Sequence, residues 1–136
     1  MSDCIFCKIV AKESPNYTVY EDENVLAFLD IFPHAKGHTV LIPKKHYDNF
    51  FVMPESELAP LLVGVKKVME KLEVALHPDG YNVGWNEKPV AGQTIGHLHF
   101  LIIPRYAGDG GGSVHSIVKT PGELAVPEVH KLIIGF

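Results

Sequence analysis

Two cysteines and eight histidines carry most of the chemistry this chain can offer. Cys4-Ile5-Phe6-Cys7 is a CxxC, a spacing that lets two thiolates reach one ion. The same spacing suits a redox pair or two inert thiols. A redox pair belongs in a βαβ setting, which the pattern here lacks, whereas a tetrahedral Zn²⁺ needs two further ligands that His46 and His97 can supply. A second cluster is His97-Leu98-His99-Phe100-Leu101-Ile102-Ile103, which reads as a strongly apolar strand. Alternation puts His97, His99, Leu101 and Ile103 on one face, and Leu98, Phe100 and Ile102 on the other as core. Residues two apart on a strand stand about 6.6–6.8 Å apart, so one imidazole can hold a metal while its neighbour faces a separate pocket. Each must find a polar partner, because an unpaired imidazole among apolar side chains costs stability. A lone buried histidine is usually a satisfied core residue; two on one face beside a glycine-containing loop point to a site.

The elements that hold these residues follow from periodicity and punctuation. Val19-Tyr20-Glu21 and Val25-Leu26-Ala27-Phe28-Leu29 read as strands joined by the turn Asp22-Glu23-Asn24. His38-Thr39-Val40-Leu41-Ile42 is a short strand stopped by Pro43, and Gly80 to Asn86 a strand with glycine irregularities. Pro104 is expected to close the 97–103 strand. Leu58, Leu61, Leu62, Val65, Val68, Met69, Leu72 and Leu76 recur at helical spacing and form one apolar stripe, taken as core. Pro60 sits deep in that run, so a kink or a late helix start is expected, with Pro78-Asp79-Gly80 ending it. The chain past Arg105 reads as glycine-rich and then irregular. Gly110-Gly111-Gly112 is not a P-loop, because the Gly-Lys-Ser/Thr ending is missing. Strands before and after one long helix, without regular alternation, predict an α+β fold: an antiparallel β-sheet of about five strands in a single domain over residues 1–136.

Composition excludes several roles. A chain of 136 residues that is 46% hydrophobic can bury one core and is not disordered. Twelve basic residues against sixteen acidic ones argue against non-specific nucleic-acid binding, which needs net attraction for phosphates. No apolar run reaches a membrane span, and the polar, acidic start lacks the pattern of a signal peptide, so a cytoplasmic protein is expected.

Four segments together resemble the histidine-triad (HIT) superfamily of nucleotide hydrolases and transferases, and look most like its Hint branch. Gly92-Gln93-Thr94-Ile95-Gly96-His97-Leu98-His99-Phe100-Leu101-Ile102-Ile103-Pro104-Arg105 resembles the superfamily signature, whose pattern is H-x-H-x-H followed by apolar residues. Cys4 to Ile9 resembles its N-terminal segment, Phe28-Leu29-Asp30-Ile31-Phe32-Pro33 its nucleotide-binding turn, and Gly37 to His46 its GH-x-L-[V/I]-IPK-x-H strand. The resemblance implies a nucleophile at His99, an upstream active-site histidine at His38 near the phosphate, and Asp30 on the ribose hydroxyls. It implies a base pocket at Phe6, Phe28 and Ile31, which read equally as plain core, and polar residues around the phosphates at Asn86, Gln93 and Thr94. Asp30 reads equally as a turn residue. The resemblance also implies a structural Zn²⁺ on Cys4, Cys7, His46 and His97, a purine nucleotide of AMP type as ligand, and a homodimer.

One position departs from the pattern. Leu101 stands where the superfamily has its third histidine, and leucine neither donates nor transfers a proton. Three readings follow: a nucleoside phosphoramidase or nucleotidyl hydrolase slowed at that step, a zinc-stabilised nucleotide-binding protein with little catalysis, or an introduced replacement. A CxxC redox protein is a third functional class. His34 reads as an exposed loop residue, His77 as a helix-end residue favoured by the dipole, and His115 and His130 as surface.

Overall fold

A computed structural model describes residues 3–135. Short α1 (Ile5–Val10) precedes the hairpin β1 (Thr18–Glu21) and β2 (Val25–Leu29), followed by β3 (Thr39–Pro43) and long α2 (Leu58–Leu76). β4 (Gly80–Gly84), β5 (Phe100–Arg105) and α3 (Val126–Ile134) complete the chain. The five strands form one antiparallel sheet in the order β1-β2-β3-β5-β4. This is the expected α+β architecture. The β1–β2 turn forms because the Asp22 carboxylate accepts the backbone N–H groups of Asn24 and Val25, at 2.7 and 2.9 Å.

Alternation gives the sheet two buried faces. Val25, Ala27, Leu41, Phe100 and Ile102 pack beneath Leu61, Val65, Val68 and Leu72 of α2. Leu26, Phe28, Val40 and Ile42 face the other way, against Phe6 and Ile9 of α1. Gly64 lets α2 approach closely: a Cβ there would stand 2.8 Å from Val25 Cγ2. The late helix start holds. A single 3₁₀ turn over Glu55–Glu57 leads into α2, and Pro60 falls in the first helical turn, where backbone donors lack intrahelical partners anyway. His77 ends α2 in the left-handed conformation, φ 50°.

Four expectations change. The last strand begins at Phe100, not His97, because Leu98 N–H donates to the Tyr47 carbonyl (2.7 Å) and not to a neighbouring strand. Pro104 lies inside β5 opposite Tyr81; it is tolerated because the flanking strand β3 pairs only as far as Ile102. The apolar stripe of α2 is not all core, since Leu62 is 59% exposed beside exposed Val63. The chain after Arg105 is not wholly irregular: Pro127 at the first turn and apolar residues three apart form α3, whose side chains are all exposed. Among the described residues no helix is long and apolar enough to cross a membrane.

Candidate functional site

His97, Leu98 and His99 reach the sheet as an extended lead-in to β5, and α1 covers them from above. Phe6 of α1 meets both imidazoles edge-on, with ring centroids 5.7 Å from His97 and 5.1 Å from His99. Both histidines therefore lie on the side of the sheet that alternation gives them, but their environments differ. His97 is fully buried and His99 only partly.

The buried ring belongs to a four-residue cluster. His97 donates its Nε2–H to the Pro43 carbonyl at 3.0 Å, which leaves the Nδ1 lone pair facing Cys4 Sγ at 3.4 Å and Cys7 Sγ at 3.6 Å. His46 repeats the arrangement, with Nε2–H on the Asp48 carboxylate at 2.8 Å and Nδ1 3.3 Å from Cys7 Sγ. Sulfur and nitrogen donors of all four residues lie within 4.8 Å of one another. Zinc bonds of about 2.0–2.3 Å at tetrahedral angles set donor pairs roughly 3.3–3.8 Å apart, so a small contraction closes the cluster on one ion. Burial pushes the His97 imidazole down to about 4, against the Pro43 hydrogen bond, which raises it. A neutral ring with an anchored Nε2–H is the form that ligates, and the anchors at Pro43 and Asp48 orient both rings.

His97 has a second role through its backbone. Its carbonyl accepts the Nδ1–H of His99 at 2.8 Å. That bond assigns the His99 proton to Nδ1 and leaves Nε2 with a free lone pair. His99 lines a cavity of about 530 Å³ between α1 and the sheet, the size of a small-molecule pocket. Phe6, Phe28, Ile31, Asp30 and Thr94 line it too, together with Leu101. Phe6 and Phe28 are core and wall at once, 7% and 6% exposed with rings 5.7 Å apart, while Ile31 is 68% exposed at the rim.

Asp30 is likewise both a turn residue and a wall residue. Its Oδ1 accepts the Phe32 N–H at 2.8 Å, while Oδ2 lies 3.8 Å from His38 Nε2. His38 does not line the cavity; it stands behind Asp30 and is 3% exposed. Gly37, at φ 89°, turns the loop so that His38 enters β3 from below the pocket. The His34 N–H donates to His38 Nδ1 at 3.1 Å, so the His38 proton is on Nε2, which has no hydrogen-bond partner. Burial draws the His38 imidazole below its ordinary value; Asp30 opposes the shift and His34 reinforces it. An NMR titration of His38 is expected to show a midpoint below 6.5, and one at or above that value would contradict a neutral ring. Because the unfolded chain takes up this proton first, His38 lowers stability as pH falls from about 6.5 toward its folded value.

Two further candidates lie elsewhere. Gln93 spends its amide N–H groups on the carbonyls of Asp48 (2.7 Å) and Ile95 (3.0 Å), and its carbonyl accepts the Lys88 N–H (2.8 Å). It braces the loop before His97 and does not line the cavity. Asn86 lines a second cavity, about 280 Å³, between β4, β5 and residues 112–117. Leu101 forms a wall of both cavities. Pocket residues that sequence reasoning did not single out include Ile9 and Ile95, while His34, read as an exposed loop residue, is exposed and lines the cavity as well. His34 alone left a signal, lying between Asp30 and His38 in one loop.

Comparison with known proteins places the fold in a family. A family model described as the HIT domain matches residues 11–108. An uncharacterized HIT-like protein of Methanocaldococcus jannaschii is 58% identical over 107 residues, covering 79% of this chain and 82% of that protein. An adenosine 5'-monophosphoramidase of Schizosaccharomyces pombe is 42% identical over 102 residues, 75% of this chain and 74% of the relative. The crystal structure of a zinc-bound histidine triad family protein from Mycobacterium smegmatis superposes with a TM-score of 0.76 at 34% identity, covering 89% of this chain and 85% of that one.

Proposed function

The chain belongs to the HIT domain family, and on that footing we propose that it is a nucleotide hydrolase working through a covalent nucleotidyl-His99 intermediate. The observation that carries this reading is the His99 Nδ1–H bond to the His97 carbonyl, which frees Nε2 toward the cavity. A purine base fits between Phe6, Phe28 and Ile31, and the free oxygen of Asp30 accepts from the ribose hydroxyls. The α-phosphate then lies beside His99, with Thr94 at the same wall. Nε2 attacks phosphorus, the bond to the leaving group breaks, and the imidazole becomes a cation still held by the His97 carbonyl. Water displaces the imidazole and releases the nucleoside monophosphate. His38 stands behind Asp30, its Nε2 3.8 Å from Oδ2, and is not a wall of the cavity that holds the reacting atoms.

Zinc on Cys4, Cys7, His46 and His97 completes the proposal. Bound there, the ion would supply no chemistry to the reaction; Cys4 and Cys7 would hold α1 through it to the segment whose carbonyl orients His99. A homodimer is supported by the edge strand β4, where exposed Val83 and Trp85 adjoin exposed Leu62 of α2. A monomeric mass in dilute solution would remove that part of the reading.

The test is alkaline denaturing quench, which preserves a phosphorus–nitrogen bond, during turnover of an adenosine 5′-phosphate aryl ester, followed by intact-mass measurement without acid. One added adenylyl group on the wild-type chain, absent from His99→Ala, is expected. Adenosine binding with neither the adduct nor AMP release would favour instead a zinc-stabilised nucleotide-binding protein, the alternative that Leu101 raises.

A further inference from the structure

Leu101 faces the same side of the sheet as His99 and separates the nucleotide cavity from the second one. That second cavity has no carboxylate, imidazole or ammonium in its wall. Apart from the Asn86 amide, its polar side chains are engaged: Trp85 Nε1–H donates to Glu87 at 3.1 Å, Asn82 Oδ1 accepts from Arg105 at 2.7 Å, and the Ser116 hydroxyl donates to the Ser113 carbonyl at 2.7 Å. Ser113 Oγ accepts the His115 N–H at 3.3 Å, and the exposed His115 is not a wall residue. Leu101, Ile103, Val114 and Ile117 supply the apolar part. A group seated there finds shape, apolar surface and the hydrogen-bonding Asn86 amide, but no side chain that can transfer a proton.

We propose that the departing part of the substrate occupies this second cavity and that Leu101 restricts rapid turnover to organic leaving groups that depart as stable anions. The inference rests on the hydrolase reading above. In the first step the His99 Nε2–phosphorus bond forms and the phosphorus–oxygen bond breaks. The bonding pair leaves on oxygen, as a carboxylate or an acidic phenolate, with no proton taken up. A leaving group of high basicity needs a proton as the bond breaks, and positioned acid assistance of that kind is worth about 10²–10⁴-fold. Acyl and activated aryl conjugates of a nucleoside monophosphate therefore suit this site, and alkyl or unactivated aryl conjugates do not.

The experiment compares the p-nitrophenyl and unsubstituted phenyl esters of AMP in single turnover with the zinc-loaded full chain. Wild type is expected to cleave the nitrophenyl ester far faster. Leu101→His is expected to shrink that ratio by about 10²-fold or more, by supplying a proton to the phenyl ester. Leu101→Met, which fills similar space without a proton, keeps the ratio, and so does His115→Ala. Ile117→Trp, which fills the second cavity, raises KM for the nitrophenyl ester about tenfold while leaving AMP inhibition unchanged. A small wild-type ratio, or one that Leu101→His leaves as it was, overturns the proposal while the hydrolase reading stands. No AMP from any ester overturns both.

Discussion

His99→Ala is expected to lower the rate of AMP release by roughly 10⁴–10⁶-fold, the scale seen when a covalent nucleophile is removed. The reason is geometric. Two imidazoles line the pocket: His34 is exposed at the rim, and His99 is the one whose hydrogen bond assigns its proton to Nδ1 and leaves Nε2 free. His38 is buried behind Asp30 with its proton on Nε2, and the Nδ1 of His97 faces the cysteines. Neither can take over the attack. The walls that bind the base and ribose do not include the lost atoms, so the affinity for AMP should change only a few-fold. Rate and affinity should thus separate cleanly, which stopped-flow turnover and calorimetric titration of AMP would measure. A loss under tenfold would mean that phosphorus is attacked by something other than His99, and the covalent mechanism would fall.

The second large effect concerns the metal cluster. Freshly purified protein is expected to carry one zinc per chain, and chelation or Cys7→Ser to remove it. At zinc a hundredfold above its dissociation constant, the linked stabilisation is about 2.7 kcal/mol. For a chain of this length that corresponds to a Tm roughly 10 °C higher than that of the metal-free protein. Cys7 is the sensitive choice because its Sγ approaches both His46 and His97, at 3.3 and 3.6 Å. Turnover should fall with metal loss more than AMP affinity does, since the carbonyl that orients His99 belongs to the ligand His97. Protein free of zinc as purified, with a Tm indifferent to chelator, would refute the ligand assignment.

Much of this was legible in the chain. The α2 stripe, the β1–β2 hairpin and the β3 segment are local patterns, set by apolar spacing and turn chemistry, and their boundaries moved by little. The quartet of Cys4, Cys7, His46 and His97 was legible for a different reason, because donor types that match one ion have few other uses in a small core. Other features depend on neighbours distant in sequence. Pro104 resembles a strand stop until it is known that β3 no longer pairs beside it. Leu62 belongs to an apolar stripe that α2 does not wholly bury, because the sheet covers only part of that helix face. Gln93 resembles a phosphate ligand until its amide is found on Asp48 and Ile95.

Residue types and spacings pointed to two thiols and the imidazoles of 46, 97 and 99, and the resemblance to the HIT superfamily added His38, the Asp30 carboxylate and a leucine where a proton donor would otherwise stand. Only the tertiary structure decided their protonation and aim. A ring's free nitrogen is set by whichever partner the other nitrogen meets. His46 meets the Asp48 carboxylate, but for the other three the partners are backbone groups: the Pro43 carbonyl 54 residues from His97, the His34 N–H beneath His38, and the His97 carbonyl behind His99. Backbone carbonyls and N–H groups are the same in every residue and leave no mark in a sequence, so the tautomers that separate ligand from nucleophile emerge only once the chain has folded.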